Sequence, residues 1–225
     1  MGSSAQPLLR IPLILLAIAD LAMLGSRLWP WQDVVSTLPL NGATGIDPVV
    51  CLLAYIGIFF WVGGNRQDPL QKSLGFGAML GFLGGLLLVA EILVKAQAAT
   101  VEDGAQPGQW TKALLLGAIL LWGVAGLNAA RATGNNGVGL LSGLWSAMVS
   151  ALMAAATLLG QMFVAGPQPA SQDPWKQYEG LAIGNYATQA LVHSLNSVTF
   201  FLLVGPLMGA AAGLFFAFFG NKGKA

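Results

Sequence analysis

The stretch "LGFGAMLGFLGGLLLVAEILVKAQ", residues 74–97, decides the fold. It runs from Leu74 to Ala90 without a charge, and then places Glu91 and Lys95 one helical turn apart. A helix rises about 1.5 Å per residue, so an apolar run of about 20 residues matches a hydrocarbon core about 30 Å thick. The run is therefore read as a transmembrane helix. The open point is whether its acid and base form a working site or an anchor.

At about 100° per residue, Gly77, Gly84 and Lys95 fall on the same face as Glu91, while Phe82, Leu86, Val89 and Leu93 fall opposite. The small-residue face should look into a bundle and the bulky face at lipid. Counted along the helix, Glu91 stands about 25 Å up the core, close to one membrane surface. Lys95 can then snorkel to that surface while bonding Glu91 at i,i+4.

The whole chain repeats this chemistry. Of its 225 residues, 56% are hydrophobic and only 8% charged, against about 25% charged in a typical soluble domain. The bilayer is the expected solvent. A net charge of +1 argues against nucleic acid as a partner, since phosphate binding needs clustered Lys and Arg. Cys51 is the only cysteine and His193 the only histidine, which excludes an internal disulfide, a Cys-rich metal site and bis-histidine haem ligation. No phosphate loop or quinone signature is legible, so neither a cofactor nor a metal is expected.

Six apolar segments are expected as spans of one integral domain, 1–225: 9–28, 48–64, 74–96, 112–130, 138–164 and 193–220. The first carries an Ala17-Ile18-Ala19 pattern that a signal peptidase could cut, but its apolar run continues to Leu28, so it is read as an uncleaved span. The connections sort by charge. The N-terminus, the short loops 65–73 and 131–137 and the C-terminal tail carry Arg10, Arg66, Lys72, Arg131, Lys222 and Lys224 against Asp68 alone. The longer loops 29–47, 97–111 and 165–192 carry Asp33, Asp47, Glu102, Asp103, Asp173 and Glu179, with Lys176. The positive-inside rule assigns the first set, and with it both termini, to the cytoplasm, as in a plasma or inner membrane. Trp29, Trp31, Trp110 and Trp175 then fall at the outer boundary as an aromatic belt. Segment 177–192 could lie flat on that surface, and 38–48 could dip inward.

Small residues set the packing. Gly77, Gly81 and Gly85 stand four apart in the third span, and Gly205, Gly209 and Gly213 in the sixth. The fifth carries Gly139, Gly143, Ala147, Ala151 and Ala155. Helices in lipid gain most where small residues let backbones approach. Pro206 frees the Leu202 carbonyl and is expected to kink the sixth helix. The two glycine rows occupy the third helix of each half, which would suit inverted-topology halves, although no residue-level repeat joins them.

Asp20 is the deepest ionisable residue, roughly 14–17 Å into the first span. A charge there costs about 2.5–3.5 kcal/mol on insertion scales. It reads as a proton- or cation-binding carboxylate, or else as a protonated packing residue hydrogen-bonded to Ser146 or Ser150. Arg27 shares its face two turns on. His193 opens the sixth span with Asn196 one turn deeper, and Gln161 lies near the outer end of the fifth. Together with Glu91 and Lys95, these could line an outward vestibule ending at Asp20. Ser142 and His193 are the nearest approach to a hydrolytic pair, but their expected depths differ by roughly 20 Å, so no catalytic residue is assigned. The expectation is an all-α bundle of transporter-like or channel-like type for a small solute or ion. Its alternative is a non-catalytic subunit or scaffold of a larger membrane complex, with lipid, partner subunits or further copies as partners. A sealed Asp20 would favour the alternative.

Overall fold

The computed structural model describes residues 6–29, 46–64, 68–98, 108–164 and 186–221. These form six α-helices and, among the described residues, no strand. They are α1 (Gln6–Leu28), α2 (Ile46–Gly64), α3 (Asp68–Ala98), α4 (Gly108–Thr133), α5 (Asn136–Val164) and α6 (Tyr186–Asn221). Four of them, α3 to α6, are long and apolar enough to cross a membrane; the apolar stretches of α1 and α2 are shorter, Ile11–Ser26 and Asp47–Phe60.

Several helices begin earlier than the hydropathy suggested. α3 starts at Asp68-Pro69 and α2 carries Asp47-Pro48 in its first turn. An acid near a helix N-terminus meets the positive end of the dipole, and proline there has no N–H to leave unpaired. Such starts lie outside an apolar window. Segments 38–48 and 177–192 fall outside the described residues, except that 46–48 open α2 and 186–192 belong to α6. Most of the loop charges, Trp31 and Trp175 also fall outside them. Trp29 and Trp110 are described, stand at helix ends and are exposed.

The connection 131–137 is a tight helical hairpin. Gly134 takes the left-handed conformation (φ 69°) that glycine adopts without penalty. Its N–H closes α4 on the Ala130 carbonyl at 2.7 Å. Asn135 then caps α5, its Oδ1 accepting from the Gly137 N–H at 2.8 Å.

α5 is the central helix. Its span is 72% buried, against 28% for that of α6. The cause is its small side chains on several faces. On one side a row of serines receives the glycines of α3: Gly77 lies on Ser142, Gly81 on Ser146, Gly84 on Ser150, and Gly85 on Met153. On another, Gly139, Gly143, Ala147 and Ala151 receive Ala217, Gly213, Gly209 and Gly205 of α6. The residue numbers climb together in the first set and oppose each other in the second. α3 and α5 are therefore parallel and α5 and α6 antiparallel, as alternate crossings require. Gly126 of α4 packs on Gly213, so three helices meet at glycines. Gly77, Gly84 and Glu91 are buried while Phe82, Leu86 and Leu93 are exposed, as the helical period implied.

The inverted-repeat arrangement is not what the chain adopts. Halves so related would pack α2 on α3 as α5 packs on α6. α5 and α6 form the most extensive helix pair, whereas α2 and α3 scarcely touch. Both glycine rows instead dock on α5, because only α5 offers small residues on two sides.

α1 and α2 form a pair attached to the side of the α3–α6 bundle. Their buried faces share one apolar cluster with α5, in which Phe59 stacks edge-on against Trp145 at 4.9 Å. One polar link ties α2 to α6: the Tyr55 hydroxyl donates to the Leu202 carbonyl at 2.8 Å. That is the carbonyl whose helical donor Pro206 has removed, so the freed acceptor is satisfied from a neighbouring helix. Tyr55→Phe should cost about 1–3 kcal/mol by leaving this buried carbonyl unpaired. In a Pro206→Ala background the helix supplies its own N–H, and the cost should shrink. Thermal unfolding of the four proteins of this double-mutant cycle measures the coupling; equal costs in both backgrounds would refute it.

Candidate functional site

Asp20 lies on the inward face of α1. Ala17 and Leu24, about one turn before and after it, have no exposed surface and belong to the apolar cluster shared with α2 and α5. Asp20 itself is 0% exposed. Neither carboxylate oxygen has a hydrogen-bond partner. Buried polar groups nearly always have one, so a carboxylate with none calls for a physical explanation.

The serines that might have bonded it do not. Ser150 is occupied: its hydroxyl donates to the Gly81 carbonyl at 2.7 Å and accepts from the Trp122 indole N–H at 2.9 Å. This relay joins α3, α4 and α5 and accounts for the close seat of Gly84. Ser146 is buried, and its hydroxyl, like Asp20, has no partner. Ser142 is equally structural, donating to the Ser73 carbonyl at 3.3 Å. It is thus engaged in helix packing and not with His193.

Glu91 is buried at 3% exposure and pairs through Oε1 with Lys95. The Lys95 side chain is 55% exposed, so it reaches outward while neutralising a buried acid, the snorkelling geometry that long amines allow. The second Glu91 oxygen, Oε2, is buried without a partner. His193 and Asn196 are half-buried on α6, and Gln161 is half-buried on α5. The Arg27 side chain lies outside the described residues.

Among the described residues, Glu91–Lys95 is the one ion pair or hydrogen bond that joins two of the candidates. Asp20 is closed on every side, so the open vestibule is not formed around it. Two features escaped the sequence reading. The donor for the Leu202 carbonyl could have been sought once Pro206 was noticed, but nothing local singles out Tyr55. The Trp122–Ser150–Gly81 relay joins three distant segments and leaves no spacing signal.

Fold and site together define a class: an α-helical bundle compatible with an integral membrane protein, carrying one unpaired carboxylate sealed within it. No protein-family model, curated protein or solved structure matches this chain.

Proposed function

We propose that all six helices span the bilayer of a plasma or inner membrane with both termini cytoplasmic, and that the protein is transporter-like or channel-like, with Asp20 as its working group. The observation that supports this reading is that neither oxygen of Asp20 has a partner, so no bond within the chain accounts for the carboxylate; its sealing weighs instead toward the second reading below. An ionisable residue held inside a membrane bundle is costly, and a binding role explains its presence. The closed surroundings correspond to an occluded state, in which α1 and α2 must shift from α5 to admit water or solute. The helix pair meets the rest of the bundle over a less extensive interface than the other four helices share among themselves, which supports such movement. Glu91 and Lys95 act at the outer rim of the path, with Arg27, His193 and Asn196 as further rim candidates.

Reconstituted protein should dissipate an imposed proton or monovalent-cation gradient in liposomes. Flux no faster than in protein-free vesicles, for every solute tested, would remove the reading. The topology has its own test, made in a Cys51→Ser background. Cysteines placed at Lys72 and Arg131 should resist an impermeant thiol reagent added outside, and one at Gln106 should react; the reverse pattern would overturn the orientation.

A second reading, a non-catalytic subunit or scaffold of a larger membrane complex or homo-oligomer, draws on a different observation. A Cβ built on Gly25 of α1 or Gly57 of α2 would meet nothing within 4 Å. These small residues sit on outward faces of the helix pair, where close approach by another helix is sterically free. The sealing of Asp20 also counts on this side. A larger native mass after mild detergent extraction, with no flux from the isolated chain, would favour it.

A further inference from the structure

We infer that the ligand of Asp20 is a proton and not a metal or organic cation, so that the carboxyl is held as the neutral acid in the closed bundle. The inference rests on the proposed working role of Asp20 and narrows what that site can take.

Ligand supply is the first argument. A dehydrated hard cation needs about six or more oxygens around it. Asp20 offers two, and the cluster that holds Ala17 and Leu24 is apolar. Among the described residues, the other buried side-chain oxygens without a hydrogen-bond partner are Ser146 Oγ, Thr199 Oγ1 and Glu91 Oε2. The last belongs to a carboxylate already paired with Lys95. The two hydroxyls would raise the unpaired side-chain supply to four at most, and the backbone carbonyls of these helices that could add to it are engaged in their own helical hydrogen bonds. No group of three His, Cys, Asp or Glu side chains is placed to hold a metal among the described residues. An organic cation would need volume beside the carboxylate, and Asp20, Ala17 and Leu24 are all packed to zero exposure. A proton needs one lone pair and no space.

Countercharge is the second argument. The helices that pack on α1 are α5, α2 and α3. α5 has no ionisable residue. α2 brings Asp47, which is exposed, Cys51, and Tyr55, whose hydroxyl is committed to Leu202. α3 brings Asp68 as its first residue, Lys72, which is exposed, and the mutually paired Glu91 and Lys95. On α1 itself Arg10 stands near the start and Arg27 near the end. None of the described side chains bonds or pairs with Asp20. An isolated anion in so dry a site carries the full cost of desolvation, and the acid form escapes most of it by neutralising the charge.

Infrared spectroscopy of the full chain in lipid tests this directly. At neutral pH the wild type should show the carbonyl stretch of a protonated carboxyl, lost in Asp20→Asn. Sodium, potassium, calcium and tetramethylammonium should neither remove the band nor raise the melting temperature, as a ligand that binds the folded form would. If Asp20→Asn does not fold, wild type grown with aspartate carrying heavy carbon in its carboxyl should show the band at lower frequency. An absent band at neutral pH overturns the inference. So does a cation that removes it. In that case transport of that cation remains open. If the band belongs to Asp20 but gradient-driven flux survives Asp20→Asn, the proton assignment stands and the transport reading falls.

Discussion

Leucine at Gly209 is expected to abolish the folded bundle. A Cβ at Gly209 would already collide with the Ala147 methyl group and stand 2.7 Å from the Gly143 carbonyl. Overpacking a well-filled core typically costs about 1–3 kcal/mol because side chains can move aside. Here the obstacle includes backbone, so the interface between the central helix and α6 must separate along its length, and the cost should reach or exceed the top of that range. The same substitution at Gly81, seated on the Ser146 carbonyl, should act likewise between α3 and α5. Position, not glycine content, carries the effect. A Cβ at Gly205 would meet Ala151 at an ordinary 3.5 Å, so Gly205→Ala should be tolerated. Yield of monodisperse protein and thermal unfolding in detergent measure this. Normal behaviour of both leucine variants would mean that the packed interfaces are wrong.

Asp20→Asn should abolish coupled flux in liposomes while leaving the protein folded. Asparagine keeps the shape of the carboxylic acid and removes its capacity to take up and release a proton. It also breaks no bond, since Asp20 makes none within the chain. Glu91→Gln should lower flux and not eliminate it. Glu91 lies nearer the end of its helix and already has Lys95 as countercharge, so its loss leaves an exposed lysine free and does not remove the sealed group on α1. The order of the two effects is the informative result: a greater loss from Glu91→Gln would move the working group to the α3 rim.

Much of this protein was written in local patterns. The apolar runs, read against bilayer thickness, located the six helices, because helix formation in apolar surroundings depends on the segment itself. The period of α3 named its buried face, because side chains three and four apart share one side. The four-residue glycine spacing in α3 and α6 identified surfaces for close approach. The Glu91–Lys95 pair followed from i,i+4 neighbourhood alone.

What required the tertiary structure is which surfaces meet. Both glycine rows dock on α5, an outcome decided by the small residues that line two sides of one helix and invisible in either row taken singly. Tyr55 completes the acceptor that Pro206 leaves open from a helix more than a hundred residues earlier in the chain. Ser150 is drawn to Trp122 and Gly81 and makes no bond to Asp20. The depth of Asp20 could be counted along α1, but its isolation could not. Depth depends on rise per residue within one helix, whereas pairing depends on what three other helices bring to the same place, and here nothing they bring bonds Asp20.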